Sequence, residues 1–479
     1  MKLRPGRTDN QGATLSDPPP SDTSFQKRLE LKVAQNQALW SLGHVITSGS
    51  FLHYFIYDLD VDFRAISVVI ALPELVGSLA LFTRLLLQLQ IGLKKVWAGT
   101  LIASRLVALG IPFCLLLDDN THHSRHLVLL LIALLGVSEI LQAFSYTAYV
   151  SWLSVLSPRS RWGELFAFRN IAKLGVLIIW ATAVGFIRDA LNDHYSQDKL
   201  ELFYGGCFVT GCLLQLASWW PLRKIHDPET HIDVHRVDWS ALVFSVFKQR
   251  SLRWLLLHSW TLAFFNGLTQ SVFFFYSRNV LHISLTYSFV LLGLMRFVKL
   301  PVSYAAGKAC DCGYDKQMLW GGLLLANAGL FFWFPASAEQ TWWLVFCYFL
   351  WGFYASANIG GLNLLLKHVP SGDNTVQLAL FHNMAGMLAG LSGLLGGYLL
   401  SEEFAAGDFI LHSFDFEIFG LSLHLGGDSN NPAKYHTIIL ISLIGRYLAL
   451  LFLLKVDPRP DRTAPGVDET VRTLNLGSD

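Results

Sequence analysis

Long apolar stretches separated by short polar loops occupy the chain from residue 33 to residue 454. A bilayer core about 30 Å thick is crossed by about 20 consecutive apolar residues in a helix. Runs of that kind fall at 33–57, 64–88, 96–117, 127–150, 165–188, 201–222, 252–276, 285–306, 317–335, 341–366, 376–400 and 435–454. The pattern predicts an all-α polytopic membrane protein with twelve transmembrane helices. Four polar segments stand outside the runs: a tail at 1–30, a central loop at 223–251, a loop at 401–434 and a second tail at 456–479. The first tail, with Pro18, Pro19 and Pro20, is too hydrophilic for a signal peptide and is expected to be disordered.

Composition supports the membrane reading. Apolar residues make up 53% of the 479 and charged residues 15%, against about 25% charged in soluble chains. Cations then orient the spans, because cytoplasmic loops collect Lys and Arg. With both termini inside, 25 of the 36 Lys and Arg fall in cytoplasmic segments and six outside. No basic stripe interleaved with aromatics is present, so a nucleic-acid partner is not expected. Cys310 and Cys312 form a lone C-x-C, and His226, His231 and His235 recur in the central loop; neither has the ligand pattern of a metal site, and no cofactor is expected.

Two shifts reveal an internal repeat. Moving the chain by 221 residues lays Gly92 and Lys95 on Gly313 and Lys316, and Ser67 on Ser288. Moving it by 213 lays Phe168-Arg-Asn170 on Phe381-His-Asn383. The repeat predicts a six-helix bundle at 31–222 and another at 252–455. At this point the chain resembles the major facilitator superfamily (MFS). The resemblance rests on the two halves, the basic central loop, and the loop motifs Gly307-Lys-Ala-Cys-Asp311-Cys-Gly313-Tyr-Asp-Lys316 and Pro158-Arg-Ser-Arg161-Trp-Gly163. It implies a gating loop at Gly307, Asp311, Gly313 and Lys316, in which the Asp311 carboxylate latches a neighbouring helix end in one conformation only. In the first half Leu86 and Gln90 replace the corresponding glycine and aspartate. The antiporter pattern of glycines around a proline in helix 5 is absent, which leaves symport or antiport open.

Five cations lie within the spans: Arg105, Lys173, Arg296, Lys299 and Arg446. Each charge at membrane depth costs about 2.5–3.5 kcal/mol on the insertion scale and so marks a cavity or a partner. In 285–306 the positions Ser288, Leu292, Arg296, Lys299 and Ser303 share one helical stripe, predicted to face the bundle interior. The second half has no acid in an apolar run, so Arg296 either pairs with Glu74 or Glu139 from the first half, holds an anionic substrate, or is solvated by carbonyls and water. Glu139 matches Arg105 and Lys173 in depth and is a candidate ion pair; Glu74, after Pro73, is a candidate proton carrier. By the resemblance, helices 1, 4, 7 and 10 line the central cavity, which adds Trp40, His44, Gln142, Tyr146, Asn266, Gln270, Tyr354 and Asn358 to Arg296 and Lys299 as candidate substrate contacts.

The resemblance implies a monomeric secondary transporter in the plasma or inner membrane, moving a small polar or anionic solute by alternating access. Coupling to a proton or other ion gradient is expected, since no Walker sequence is present. A transport-dead receptor or sensor and a polytopic membrane enzyme are the alternatives. An enzyme would require a nucleophile and base, or a motif such as H-E-x-x-H, at a membrane surface, and the sequence carries none.

Overall fold

Apolar runs and helices coincide along the chain. The computed structural model describes residues 23–59, 61–79, 92–114, 125–156, 162–194, 197–225, 247, 249–368, 375–400, 414–418, 421–425 and 432–457. Its first helices are α1 (Thr23–Val45), α2 (Gly49–Asp58), α3 (Phe63–Gly77), α4 (Leu93–Ala108), α5 (Gly110–Cys114), α6 (Arg125–Leu156), α7 (Trp162–His194) and α8 (Gln197–Ala217). There follow α9 (Arg250–Leu268), α10 (Gln270–Phe275), α11 (Leu285–Asp311), α12 (Asp315–Ala328), α13 (Trp343–Trp351), α14 (Tyr354–His368), α15 (Thr375–Leu400) and α16 (Pro432–Leu453). Among the described residues, eight helical stretches are long and apolar enough to cross a membrane.

Two runs are broken at corresponding places. The first breaks between α1 and α2, where Gly49 adopts φ +58°, a left-handed conformation open to glycine without a Cβ penalty. The seventh breaks at Thr269, between α9 and α10. Each break is spanned by a side chain from a later helix: Gln215 Nε2 donates to Thr47 Oγ1 at 2.7 Å, and Arg446 Nη2 donates to Thr269 Oγ1 at 2.6 Å. At the amino end, helix begins at Thr23, inside the segment expected to be a disordered tail. Burial of Leu29 and Val33 against Leu93, Trp97 and Trp152 supplies the reason. In the 401–434 loop, β1 (Phe414–Ile418) and β2 (Leu421–Leu425) pair antiparallel, Phe414 opposite Leu425 and Ile418 opposite Leu421.

The distribution of the core positions the site. At the end of the molecule that carries Asp58, one apolar cluster joins both sets of helices, with Phe51, Phe55 and Phe208 packed together with Phe275, Leu285 and Trp333. Toward the other end the core divides. One cluster there draws only on residues up to Ile225 and another only on residues from Leu252 onward. The two sets meet chiefly through α3 with α15 and α7 with α11. Both contacts are close backbone approaches: a Cβ at Gly397 would lie 1.9 Å from Ser67 Oγ, and one at Gly185 would lie 2.9 Å from Thr286 Cα.

Candidate functional site

A cavity of about 730 Å³ opens where the core divides, between α1, α7 and α11. From α7 come Asn170, Lys173, Leu174, Leu177 and Ala181, one helical stripe. From α11 come Phe289, Leu292, Arg296, Lys299 and Ser303, another such stripe. The predicted α11 face therefore lines the cavity apart from Ser288, which instead meets the Tyr54 hydroxyl at 3.2 Å. His44 lines the wall opposite, its ring stacked on Trp40 at 4.2 Å and against Ser48 Oγ at 2.9 Å.

Lys173, Arg296 and Lys299 bring three cations to this wall, and among the described residues no carboxylate lines it. Arg296 Nη1 reaches the Leu177 carbonyl at 3.4 Å. Among the described residues no ion pair joins Arg296 to Glu74 or Glu139, and neither lysine amine has a hydrogen-bond acceptor. The three cations lie within electrostatic reach of one another across the α7–α11 contact. Like charges this close in a low-dielectric wall repel strongly, so the arrangement is complementary to an anion.

Other candidate residues divide between two further places. Trp40, Gln142 and Tyr146 line a smaller cavity of about 120 Å³ that shares Lys173. Beside it, Arg169 Nε donates to Gln37 Oε1 at 2.8 Å and lies over the rings of Tyr146 and Tyr149. Arg105 is buried and donates to Gln215 Oε1 at 2.5 Å and Gln142 Oε1 at 3.0 Å; Glu139 is within its electrostatic reach without forming a direct ion pair. In the second set of helices, the Tyr354 hydroxyl donates to Asn266 Oδ1 at 3.3 Å and meets Arg446 Nη1 at 3.3 Å. Asn358 is exposed. Glu74 and Gln270 lie side by side where α3 packs on α10.

Closure of the Asp58 end rests on residues that sequence reasoning treated as loop charges or passed over. Asp58 Oδ2 accepts from Arg188 and from the Tyr204 hydroxyl, the latter at 2.6 Å, while Oδ1 accepts from Arg278 Nη2 at 3.3 Å. Asp189 caps the start of α11, its Oδ2 accepting the Thr286 N–H at 2.9 Å and its Oδ1 the Leu285 N–H at 3.3 Å. The Tyr54 hydroxyl donates to the Ile283 carbonyl at 2.6 Å, and the Tyr57 hydroxyl to Asn279 Oδ1 at 2.7 Å. The only signal in the sequence was charge at the ends of apolar runs, which also fits solvated loops.

A helical chain with its core joined at one end and divided around a cavity at the other was compared with known proteins. The sequence profile of the Major Facilitator Superfamily matches residues 38–394. The chain belongs to the Major Facilitator Superfamily. No curated protein matches it. Among solved structures it is similar to the nucleoside transporter NupG (12% identity, 90% of this chain and 98% of that chain, TM-score 0.57). It is also similar to a bacterial homologue of the iron transporter ferroportin in an inward-facing state (13% identity, 90% and 98% covered, TM-score 0.61). A third is a bacterial homologue of the human lysosomal transporter Spinster, inward-facing and unoccupied (12% identity, 94% and 100% covered, TM-score 0.58).

In this superfamily member the expected gating loop is in part helix: α11 runs on through Gly307 to Asp311 and ends in a Schellman cap, with Tyr314 N–H donating to the Ala309 carbonyl at 3.1 Å, Gly313 N–H to the Cys310 carbonyl at 2.9 Å, and Gly313 at φ +87°. Gly313 is thus a helix stop. A Cβ at Gly307 would meet nothing within 4 Å, and Asp311 is exposed with no partner among the described residues. The buried acid of this loop is Asp315, at the first position of α12, paired with Lys367 of α14. Lys316 Nζ donates to the Val456 carbonyl at 2.7 Å, just past the end of α16. Its counterpart in the first set is Lys94, which donates to the Arg223 carbonyl at 2.8 Å and the Ile225 carbonyl at 2.5 Å. The repeat is therefore offset by one at the lysine: the sequence shift aligned Lys95 with Lys316, but the amine that reaches the helix end is that of Lys94. Leu86, Gln90, the loop at 157–161 and the three histidines of the central loop lie outside the described residues.

Proposed function

We propose that the chain is a monomeric secondary active transporter of the plasma or inner membrane that moves a small anionic solute by alternating access. The observation that carries this reading is the wall bearing Lys173, Arg296 and Lys299 with no carboxylate among the described residues. The twelve helices form two six-helix halves, 31–222 and 252–455, with both termini in the cytoplasm. Core shared at the Asp58 end and divided around the cavity corresponds to an inward-facing state, closed outside by the Asp58–Arg188–Arg278 cluster.

Electrostatics link solute to conformation. In the empty state Lys173 on α7 opposes Arg296 and Lys299 on α11, and mutual repulsion holds the inner ends of the halves apart. An anion that bridges them removes that repulsion and favours closure around itself. Glu74 is the proposed coupling carboxylate: it stands at the contact of the two halves, beside Gln270 and Gly386, where gain or loss of a proton changes the charge between α3, α10 and α15.

The test is uptake into proteoliposomes of organic anions, sugars and lipophilic cations, with and without a pH gradient. Anions are expected to accumulate, and Arg296→Ala is expected to lower kcat/KM by about tenfold or more, as for loss of a hydrogen bond to a charged group. If Arg296→Ala leaves both uptake and affinity unchanged, the anion reading is wrong. Saturable binding with no uptake of any solute points to a receptor.

A further inference from the structure

The cationic cavity is mostly apolar apart from its charges. Leu174, Leu177 and Ala181 of α7 and Phe289 and Leu292 of α11 continue the wall from the cations toward the closed end. An inorganic or wholly hydrophilic anion seated at the cations would leave this surface facing water, which gives it no role in recognition. An anion carrying a hydrocarbon chain would cover it, at the usual gain for burying apolar area.

The rim supplies a second, independent observation. Ile171 and Leu300 both line the cavity and are strongly exposed, at 64% and 46%, so the cavity reaches the outer surface of the protein between α7 and α11. The two helices touch where Gly185 meets Thr286 and diverge toward Ile171 and Leu300. Ile171 and Leu300 each stand six residues, about 9 Å at 1.5 Å per residue, inside the apolar runs 165–188 and 285–306. That depth lies within a hydrocarbon layer about 30 Å thick. The opening thus has cations inside and apolar side chains at a mouth that faces lipid.

We infer that the solute is an amphiphile: an anionic head, carboxylate or phosphate monoester, held by Lys173, Arg296 and Lys299, and a single hydrocarbon chain lying along Leu177, Phe289 and Leu292, the whole molecule entering from the bilayer through the gap between α7 and α11 at Ile171 and Leu300. This inference rests on the anion reading above and narrows it. The basic side chains neutralise the head, which the bilayer interior rejects, while the chain passes the rim without leaving an apolar environment.

The experiment is binding to the full chain in lipid nanodiscs of two series, alkyl carboxylates and alkyl monophosphates from two to ten carbons, kept below micelle formation, with acetate and inorganic phosphate as chain-free probes. Affinity is expected to rise up to about threefold to fourfold per added methylene, the factor for burial of a CH₂ group. Arg296→Ala should weaken every member of a series alike. Leu292→Ser, on the wall that the chain covers, should flatten the chain-length dependence, and Leu300→Ser, at the exposed rim where folding is least affected, should slow association of the long members. Comparison of the two series identifies the head. If acetate or phosphate binds as well as the ten-carbon members, the amphiphile inference falls and the anion reading stands. If neither series binds and a neutral or cationic solute does, both fall.

Discussion

Arg278 reaches Asp58 from the far half of the chain, its Nη2 at 3.3 Å from Oδ1, while Arg188 holds the other carboxylate oxygen. Asp58 and Arg188 are almost fully buried, whereas Arg278 is 21% exposed. The first pair is built into one half, and the contact with Arg278 is the one that must break if the Asp58 end opens. Arg278→Gln is therefore expected to raise the population open at that end by about fivefold, for a loss of about 1 kcal/mol typical of a partly exposed pair. Distances between spin labels at His194 and Glu339 measure it; an unaltered distribution removes the latch role. Asp58→Asn strands the buried Arg188 and should cost about 3–5 kcal/mol, seen as loss of folded protein.

The cations of the cavity should not act independently. Lys173→Gln and Arg296→Gln are each expected to weaken anion affinity about tenfold, with the double variant departing from the product of the two by about 0.5–3 kcal/mol of interaction energy, as for groups that share a ligand. Direct titration of the four proteins closes the cycle. Additive losses would mean that the two side chains do not meet the same anion.

Lys94 donates to carbonyls just past the helical stretch Lys199–Leu222, and Lys316 to a carbonyl just past α16. A cation there satisfies carbonyls that the helix leaves open and opposes the negative end of its dipole. Lys94→Ala and Lys316→Ala should each cost about 0.5–2 kcal/mol, read as a lowered unfolding temperature in detergent. Lys95, exposed, should change little when replaced by Ala.

Asp311, at the end of α11, and Asp315, at the start of α12, should part company. Asp315 is buried against Lys367, so Asp315→Asn is expected to destabilise by about 1–3 kcal/mol. Asp311→Asn should leave stability within about 0.5 kcal/mol, and any effect on transport would then report a contact made only in another conformation. Thermal unfolding together with uptake separates the two.

Gly267 stands where α9 crosses α15, and a Cβ there would fall 2.0 Å from the Ala389 carbonyl oxygen. Backbone cannot yield as a side chain can, so Gly267→Ala is expected to cost about 1–3 kcal/mol by overpacking. Gly293 on α11, with nothing within 4 Å of its Cβ position, is the matched control.

Much of the site was legible because cost makes it legible. A charge inside an apolar run stands out against its neighbours, so Arg296, Lys299 and Lys173 could be named from the chain alone, and helical spacing put Leu292, Arg296, Lys299 and Ser303 on one face. Amides and hydroxyls carry no such signal. Gln142 turned out to hold Arg105, and Asn266 and Tyr354 to belong to a network around Arg446, because such groups serve helix packing as readily as recognition.

The sequence by itself determined the membrane class, the helical runs, the inward stripe of α11 and the family resemblance, since each follows from local hydrophobicity, periodicity or a short motif. Only the tertiary structure decided which charges meet. Among the described residues it left Arg296 without a carboxylate, joined Asp58 to Arg188 and Arg278 across 130 and 220 positions, and chose Asp315 over Asp311 and Lys94 over Lys95. The reason is physical: partners are selected by helix rotation, depth and divergence in three dimensions, and residues adjacent in sequence point about 100° apart around a helix of 3.6 residues per turn.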